Sequence, residues 1–414
     1  MRDYTNLGLA HTLRSQSSVL SQRMESATNI DLRRGITPGA IPYSAINQIG
    51  RPYQAIVDLT NAGGAFTDLQ DAFDYVNRLG GGRILVMPAT YTISSELTMY
   101  SDTSIEGVSQ RDCIIDFNNT TNNLTLTSGG RNFKITDLTF NNCRDLTNGA
   151  IRSDNNQVVI IERCSFNQNR NGTSGYDIYV AGGSGRVYVR NCLAGTPATF
   201  LFFDNAGNTN EIANNLIQDP QRYAFEGGTN GNGGGQTIYN NNVIFDPNLS
   251  SFFGEFSDGR IVNNTIVRDN GTTTQVLMDI NDSGELRIIG NYINGQGLTN
   301  GAIDLNNCDR FVMSGNSIWG SLANTDCITI AASDHGAITG NFIQAEGGTS
   351  DGVSIATSQG IKIAGNSIVA GITGSYGINI AATGTETVIV GNYLSGATGD
   401  VNNLGTLTVN ANNA

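Results

Sequence analysis

Acidic side chains recur about once per 25 residues in the middle of this 414-residue chain, next to short alternating apolar runs. They are Asp204, Glu226, Glu255 with the nearby Asp258, Asp279 and Asp304. Hydrolysis of a glycosidic bond uses two carboxyl groups, separated by about 5 Å for retention or roughly 6.5–9.5 Å for inversion of configuration. The residue types therefore make Glu226 and Glu255 candidate catalytic residues, with Asp204, Asp258 and Asp279 in support.

Aromatic residues are concentrated in the same part of the chain. Eight of the sixteen Phe lie between positions 200 and 256, together with two Tyr. Aromatic faces beside carboxylates are suited to stacking on sugar rings. We predict that Phe203, Tyr223 and Phe253, with Asp304, contact a substrate. The alternative is that the phenylalanines fill an interior and the acids are solvated, in which case the region holds no site.

A repeat explains how these acids could be brought together. The motifs GNYI, GNSI, GNFI, GNSI and GNYL begin at 290, 315, 340, 365 and 391. The Asn of each motif occupies one fixed position of the repeat, which we call the ladder station. The repeat extends back through Asn264, Asn242, Asn215 and Asn191 to Cys164 and Leu138 at this station. Ten intervals span the 254 residues from 138 to 392, a mean period of 25.4.

Each repeat contains three short alternating runs separated by Gly- and Asn-rich turns, which leaves no room for a helix. This excludes leucine-rich, ankyrin and tetratricopeptide arrays, and the period is too short for a propeller blade. The sequence predicts an all-β fold, a right-handed parallel β-helix of about 11 coils. Carboxylates in adjacent coils would then stand about 4.8 Å apart, and those two coils apart about 9.6 Å.

The recurring Asn is interpreted as structural. An inward Asn at one station of every coil can donate its amide hydrogens to the neighbouring coil and so satisfy buried polar groups. The Gly before it permits the positive φ of a sharp corner. The six Cys are far apart and form no CxxC pair, so we expect buried free thiols and no metal site.

The segment before the repeats predicts a helix that covers the first coil. In DLQDAFDYVNRL, residues 68–79, apolar residues recur at helical spacing, Asp68 stands at the N-cap position, and Gly80–Gly82 ends the helix. The run from 68 to 107, with a strand ending in Pro88 and then Tyr91, resembles the opening of the pectate-lyase-like β-helix superfamily, including phage tailspikes. The resemblance implies a polysaccharide-acting or surface-appendage protein that assembles as a homotrimer. Separately, we expect no cofactor.

Charge divides the chain into a basic head and an acidic body. Residues 1–51 carry six Arg against three acids, whereas the whole chain has a net charge of −13. We predict three parts: an attachment or connector segment at 1–50, a capping helix with the first coils at 51–112, and the β-helix body at 113–414. An acidic body argues against a nucleic-acid partner. The sequence contains no long apolar run, so we expect no membrane insertion, and no signal peptide is seen.

Three functions fit the sequence. The first is a phage-tailspike-like or other surface-appendage protein, attached to a virion or another particle through residues 1–50, that binds and could hydrolyse cell-surface polysaccharide. The second is a non-catalytic virion, fibre or decoration protein. The third is a secreted polysaccharide hydrolase or, less favoured because the body is acidic, a lyase.

Overall fold

The fold is known from a computed structural model, which describes residues 53–413 with gaps at 62–64, 146, 170–173, 184, 205–208, 229–235, 269–275, 296–299, 321–324, 372, 406 and 412. The predicted attachment segment at 1–50 lies outside the described residues. The proposed boundaries at 50 and 112 stay predictions.

One helix, α1 (Leu69–Arg78), precedes the main stack of strands. The Asp68 carboxylate accepts hydrogen bonds from the backbone N–H groups of Gln70 (2.6 Å) and Asp71 (3.2 Å), as the N-cap prediction requires. Its apolar side packs on the first strands, with Phe73 and Val76 fully buried. The predicted helix is confirmed, and its role as a cap against edge pairing stays a prediction. No helix among the described residues is long and apolar enough to cross a membrane.

The strands form three parallel sheets, and each coil contributes one strand to each sheet in turn. Sheet A consists of β1 (Ala55–Val57), β2 (Gly82–Val86), β5 (Thr103–Gly107), β8 (Asn132–Thr136), β11 (Val158–Glu162), β14 (Arg186–Arg190), β17 (Asn210–Ala213), β20 (Thr237–Asn240), β23 (Arg260–Val262), β26 (Arg287–Ile289), β29 (Val312–Ser314), β32 (Ala337–Thr339), β35 (Lys362–Ala364), β38 (Thr387–Val390) and β41 (Leu407–Ala411).

Sheet B consists of β3 (Ala89–Thr92), β6 (Cys113–Asp116), β9 (Thr139–Asn141), β12 (Ser165–Asn167), β15 (Leu193–Gly195), β18 (Leu216–Gln218), β21 (Val243–Phe245), β24 (Thr265–Val267), β27 (Tyr292–Asn294), β30 (Ser317–Trp319), β33 (Phe342–Gln344), β36 (Ser367–Val369) and β39 (Tyr393–Ser395).

Sheet C consists of β4 (Leu97–Met99), β7 (Leu124–Leu126), β10 (Ile151–Asp154), β13 (Tyr176–Ala181), β16 (Thr199–Asp204), β19 (Tyr223–Gly227), β22 (Ser250–Gly254), β25 (Met278–Asn281), β28 (Ile303–Asn306), β31 (Ile328–Ala331), β34 (Val353–Ala356), β37 (Tyr376–Ile380) and β40 (Gly399–Asn403).

The predicted parallel β-helix with a period near 25 is confirmed, but the count of about 11 coils is too low. The structure has about 13 turns, since sheets B and C each contain 13 strands. The repeat was counted from Leu138, and the coils before it carry no recognisable motif at the ladder station. At about 4.8 Å per coil the stack is roughly 60 Å long.

The predicted Asn ladder is present. From Asn215 to Asn392 the ladder side chains are at most 2% exposed. Asn316 is representative: its Nδ2 donates to Ile288 O (2.8 Å) and to Asn341 Oδ1 (2.8 Å), while its Oδ1 accepts from the backbone N and Nδ2 of Asn291 (2.9 and 3.0 Å). The ladder thus ties each coil to the coils on both sides.

One assignment within the ladder is wrong by one residue. The register aligns Leu193 with Leu216, so Cys192 and not Asn191 stands at the station of Asn215. Cys192 donates its backbone N–H to Asn215 Oδ1 at 2.9 Å. Asn191 occupies the corner before the station with φ 55°, the place taken by Gly290 with φ 66° in a later coil. Asn tolerates this left-handed conformation, which is why the sequence alone could not separate the two positions.

All six Cys are free and buried, as predicted. At the ladder station of successive coils, Leu138, Cys164 and Cys192 replace Asn. Burial raises the pKa of the Cys327 thiol and that of Cys143, the latter to about 12, so these thiols stay protonated.

A buried carboxyl group at Asp177 makes stability depend on pH. Its side chain is fully buried, and neither carboxyl oxygen has a hydrogen-bond partner among the described residues. Burial raises its pKa far above the ordinary value, and nearby Asn169 offsets only part of the effect. The folded protein therefore holds a proton here that the unfolded chain releases at about pH 4.

We expect the free energy of unfolding to fall as the pH rises above about 4, by up to about 1.4 kcal/mol per pH unit until the folded pKa is reached. Asp177→Asn removes the ionisable group and should flatten this part of the profile. Urea unfolding at several pH values measures it, with the exposed Asp258→Asn as the control. A profile that is the same in Asp177→Asn and in the wild type would contradict the account.

Candidate functional site

Three of the predicted acids lie in one column on the outer face of sheet C. Along each strand of this sheet, side chains alternate between the core and the outside. The cross-strand register places one outward residue from each of six successive coils in a single column, in the order Tyr179, Phe202, Glu226, Phe253, Asp279 and Asp304. We call this the sheet C column. It contains three of the six predicted acids.

Aromatic rings stack at one end of this column. The ring centroids of Tyr179 and Phe202 are 5.2 Å apart, and that of Tyr176 lies 5.0 Å from Phe202. In the next coils the rings of Tyr223 and Phe253 stack at 4.3 Å with an angle of 4° between their planes. These five side chains form an aromatic platform on both sides of Glu226.

Glu226 is the most enclosed acid of the column, at 9% exposed. Its Oε1 lies 3.5 Å from Nη2 of Arg222, and its Oε2 accepts a hydrogen bond from Thr199 Oγ1 at 3.4 Å. Burial raises the pKa of Glu226, and Arg222 and Thr199 offset part of that increase. Arg222 also lies over the ring of Tyr223, 4.9 Å from its centroid. This environment favours a carboxyl group that stays protonated at pH values above the usual pKa of glutamate.

Asp279 and Asp304 are direct cross-strand neighbours. Burial raises the pKa of Asp304, and the negative charge of Asp279 raises it further. Asp279 accepts a hydrogen bond from Asn281 Nδ2 at 2.9 Å. Strand spacing places the backbones of these two residues about 4.8 Å apart and those of Glu226 and Asp279 about 9.6 Å apart. Both spacings lie near those that glycoside hydrolysis uses.

Asp204 and Glu255 lie beside the column and not in it. Asp204 follows Phe203 at the end of β16 and hydrogen-bonds Tyr179, whose pKa is raised by burial and by this carboxylate. Glu255 is one coil beyond Glu226, two residues past its cross-strand neighbour Phe253. It is 3% exposed, and its Oε1 accepts a hydrogen bond from Ser257 Oγ at 2.9 Å. The predicted pairing of Glu226 with Glu255 therefore stays a prediction, and Asp279 is the acid that shares a column with Glu226.

Two other predicted residues lie away from this face. Phe203 is in the core and 1% exposed, so its ring offers no surface to a ligand; the preceding Phe202 is the outward residue. Asp258 is exposed in the turn between sheets C and A, where it lines a depression with Arg260, Glu285 and Arg287. The sequence prediction was wrong about Phe203 because it had no register to separate inner from outer Phe.

Four residues of the face were not predicted: Arg222, Tyr176, Tyr179 and Phe202. Arg222 carried a usable signal, since it precedes Glu226 by four residues in a region with few cations. Tyr176 and Tyr179 lie one coil before the stretch where aromatic residues are concentrated. Within the described ranges, no group of three or more His, Cys, Asp or Glu side chains could hold a metal ion.

The fold and this face define the class of the protein, a parallel β-helix with an aromatic and acidic outer surface. No protein-family model matches the sequence, and no curated protein matches it. Among solved structures, tailspike protein 3 of bacteriophage CBA120 aligns with a TM-score of 0.51 and 12% identity, over 89% of this chain and 60% of the tailspike. This likeness confirms the resemblance in fold to tailspike-type β-helices.

Two further solved structures align more loosely. The A-module of the Azotobacter vinelandii mannuronan C-5 epimerase AlgE4 has a TM-score of 0.45 and 13% identity, over 88% of this chain and 99% of the module. The catalytic unit of a GH87 α-1,3-glucanase from Streptomyces thermodiastaticus has a TM-score of 0.41 and 12% identity, over 91% of this chain and 69% of that unit.

Proposed function

We propose that the outer face of sheet C binds a polysaccharide along the rod and hydrolyses its glycosidic bonds, with Glu226 as the general acid. The observation that carries the proposal is the column itself: a buried glutamate with a raised pKa between two stacked aromatic groups, followed by two aspartates. Aromatic rings bind the apolar faces of sugars, and a protonated carboxyl group can protonate a leaving oxygen.

Asp279 is the proposed partner of Glu226. The two residues lie two coil steps apart, and the resulting separation of about 9.6 Å is closest to that of an inverting pair, in which the second carboxylate activates a water. Glu255, diagonal to Glu226, is the alternative base. Asp304, whose pKa is raised by burial and by the charge of Asp279, is the cross-strand neighbour of this base in the next coil.

Binding without cleavage is the second candidate function. Arg222 lies 3.5 Å from the Glu226 carboxylate and favours its ionised form, which would leave the column without an acid. In both cases we propose a virion-borne or other extracellular surface appendage that is attached through residues 1–50 and assembles as a homotrimer. The fold shared with a bacteriophage tailspike supports this placement.

The aromatic platform gives a test of binding that does not depend on catalysis. Phe253→Ala removes one ring of the closest stack and leaves Tyr223 without its stacking partner. Loss of one stacking ring should weaken polysaccharide binding by about 1–2 kcal/mol, roughly a 5- to 30-fold rise in Kd. Isothermal titration against a polysaccharide that the wild type binds measures the change. Tyr188→Ala, on the outer face of sheet A, is the control and should bind as the wild type does.

A further inference from the structure

Arg222 is the solvent-facing member of its ion pair with Glu226. The side chain of Arg222 is 28% exposed, whereas that of Glu226 is 11% exposed. Their contact, 3.5 Å between Arg222 Nη2 and Glu226 Oε1, is longer than an ordinary N–H···O hydrogen bond. A ligand that approaches this face therefore reaches the guanidinium before the carboxylate, and a better acceptor can displace the carboxylate from it.

Aromatic side chains fix the position of this guanidinium. It lies over the ring of Tyr223, 4.9 Å from the centroid, and that ring stacks on Phe253. Burial raises the pKa values of Tyr176 and Tyr223, and the charge of Arg222 offsets part of both increases, so both hydroxyl groups lie near it. A guanidinium has five N–H donors in one plane, and the carboxylate of Glu226 contacts one of its nitrogens. The cation is thus held beside the aromatic platform with donors left for a second acceptor.

Arg152, on the same face, differs from Arg222 in this respect. It is the cross-strand neighbour of Tyr179 and so lies at the end of the sheet C column. Its Nε donates to Asp154 Oδ2 at 2.7 Å and its Nη1 to Asn148 Oδ1 at 2.6 Å. Among the described residues, Arg222 makes no side-chain hydrogen bond this short. One arginine of the face is therefore bound firmly within the protein, and the other is placed to bind a ligand.

We propose that Arg222 is a specificity-determining residue that binds the carboxylate of an acidic sugar, which takes the place of Glu226 as its partner. The inference rests on the proposed function, because it names the class of polysaccharide that the outer face of sheet C binds. A guanidinium and a carboxylate match in a planar arrangement with two hydrogen bonds. The aromatic platform beside Arg222 provides a surface for the sugar ring that carries the carboxylate.

A change in the partner of Arg222 also changes the protonation of Glu226. In the free protein, burial raises the pKa of Glu226 and the charge of Arg222 offsets part of the increase. Once a sugar carboxylate neutralises that charge, the pKa of Glu226 rises further, and the side chain takes up a proton from solvent at pH values where it was ionised. A neutral polysaccharide leaves the ion pair intact. Near neutral pH, formation of the general acid therefore depends on an acidic sugar.

The negative charges of the rod do not prevent such binding. Asp279 lies two coil steps from Glu226, about 9.6 Å, which exceeds the screening length of about 8 Å in physiological salt. The other titratable groups near Glu226 are two tyrosine hydroxyls and two carboxylates, at Tyr176, Tyr223, Asp204 and Glu255. Both carboxylates stand two residues past the level of Glu226, whereas Arg222 precedes β19. The cation therefore lies at the opposite end of the strand from these acids.

The test measures proton uptake on binding, with sodium glucuronate as the probe and glucose with NaCl at the same ionic strength as its neutral counterpart. NMR of the full chain with ¹³C-labelled glutamate gives the pKa of Glu226, whose signal is assigned by its loss in Glu226→Gln. Glucuronate should raise this pKa, and glucose should not. Because binding takes up one proton, the Kd of glucuronate should rise up to about tenfold for each pH unit above the pKa that Glu226 has in the free protein.

Two variants assign the effect to Arg222. Arg222→Gln should raise the pKa of Glu226 in the free protein and abolish the response to glucuronate. Arg152→Gln removes the same charge from the same face and, as the matched control, should respond as the wild type does. The titration of the wild type stands by itself if Arg222→Gln does not fold.

The proposal is overturned if glucuronate leaves the pKa of Glu226 unchanged, or if Arg222→Gln responds to glucuronate as the wild type does. Cleavage of a neutral polysaccharide without any effect of glucuronate would also overturn it, and would leave the proposed function standing. A response to glucuronate without cleavage of any glycan would support the role of Arg222 and contradict the proposed hydrolysis.

Discussion

Glu226→Gln should reduce the release of reducing ends from a polysaccharide substrate by about 10²–10⁴-fold, the usual contribution of a general acid. Glutamine keeps the shape of the side chain and its contacts with Thr199 and Arg222, so binding and folding should change little. Because burial raises the pKa of Glu226, the wild-type rate should persist above the usual pKa of glutamate, about 4.3, and fall as the pH rises through the shifted value.

Two companion variants assign the roles within the column. Asp279→Asn should reduce turnover by a similar factor if Asp279 activates the water, whereas Glu255→Gln should do so if the base is diagonal to Glu226. Glu285→Gln is the matched control and should leave the rate unchanged. Glu285 is exposed, pairs with Arg310 and lines the depression near sheet A. If Glu226→Gln binds the polysaccharide and cleaves it at the wild-type rate, the assignment of the acid is wrong.

The largest effect on stability should come from the Asn ladder. Asn316→Leu removes four hydrogen bonds: two that the Asn side chain donates and two that it accepts from Asn291. The donors of Asn291 are then left buried without those partners, at about 1–3 kcal/mol each. We expect a loss of about 3–5 kcal/mol in the free energy of unfolding.

Urea unfolding followed by circular dichroism measures this loss. Asn306→Leu is the matched control, because Asn306 is also bonded to an Asn of the neighbouring coil, through Nδ2 to Asn281 Oδ1 at 3.3 Å, but is exposed. It should cost well under 1 kcal/mol, as surface changes usually do. Equal losses for the two variants would mean that burial of the ladder does not determine its contribution. Leu138 occupies the same station in an early coil and is fully buried there, so a leucine is accepted at this station of the fold.

The repeat made the fold predictable from the sequence. Gly and Asn at the corners, alternating apolar residues between them and one Asn per coil are all local signals, and together they specify three strands per turn. The coil count was low because the first two coils carry Ala89 and Cys113, and no Asn, at the ladder station. Asn191 was misplaced because Asn suits both the left-handed corner and the ladder station.

The site could be predicted only in part. The spacing of acids near 25 residues follows from one coil being one repeat, and Glu226, Asp279 and Asp304 lie in one column of sheet C. Phe253 stands between Glu226 and Asp279 in that column. Which residues face outward depends on the register of each strand, and the TFLFFD sequence of β16 does not show which of its Phe points outward. This is why Phe203 was chosen in place of Phe202, and why Asp258, one corner away, was grouped with the acids of sheet C. Arg222 lies in the turn before β19, where the repeat gives no expectation.

The central claim is that the outer face of sheet C is the surface that contacts polysaccharide. The most direct measurement is an array of bacterial surface glycans probed with the wild type, with Phe202→Ala combined with Phe253→Ala, and with Tyr188→Ala. The account predicts that the wild type and Tyr188→Ala bind the same glycans and that the double variant loses them. If no glycan binds, or if the double variant binds as the wild type does, the claim is contradicted.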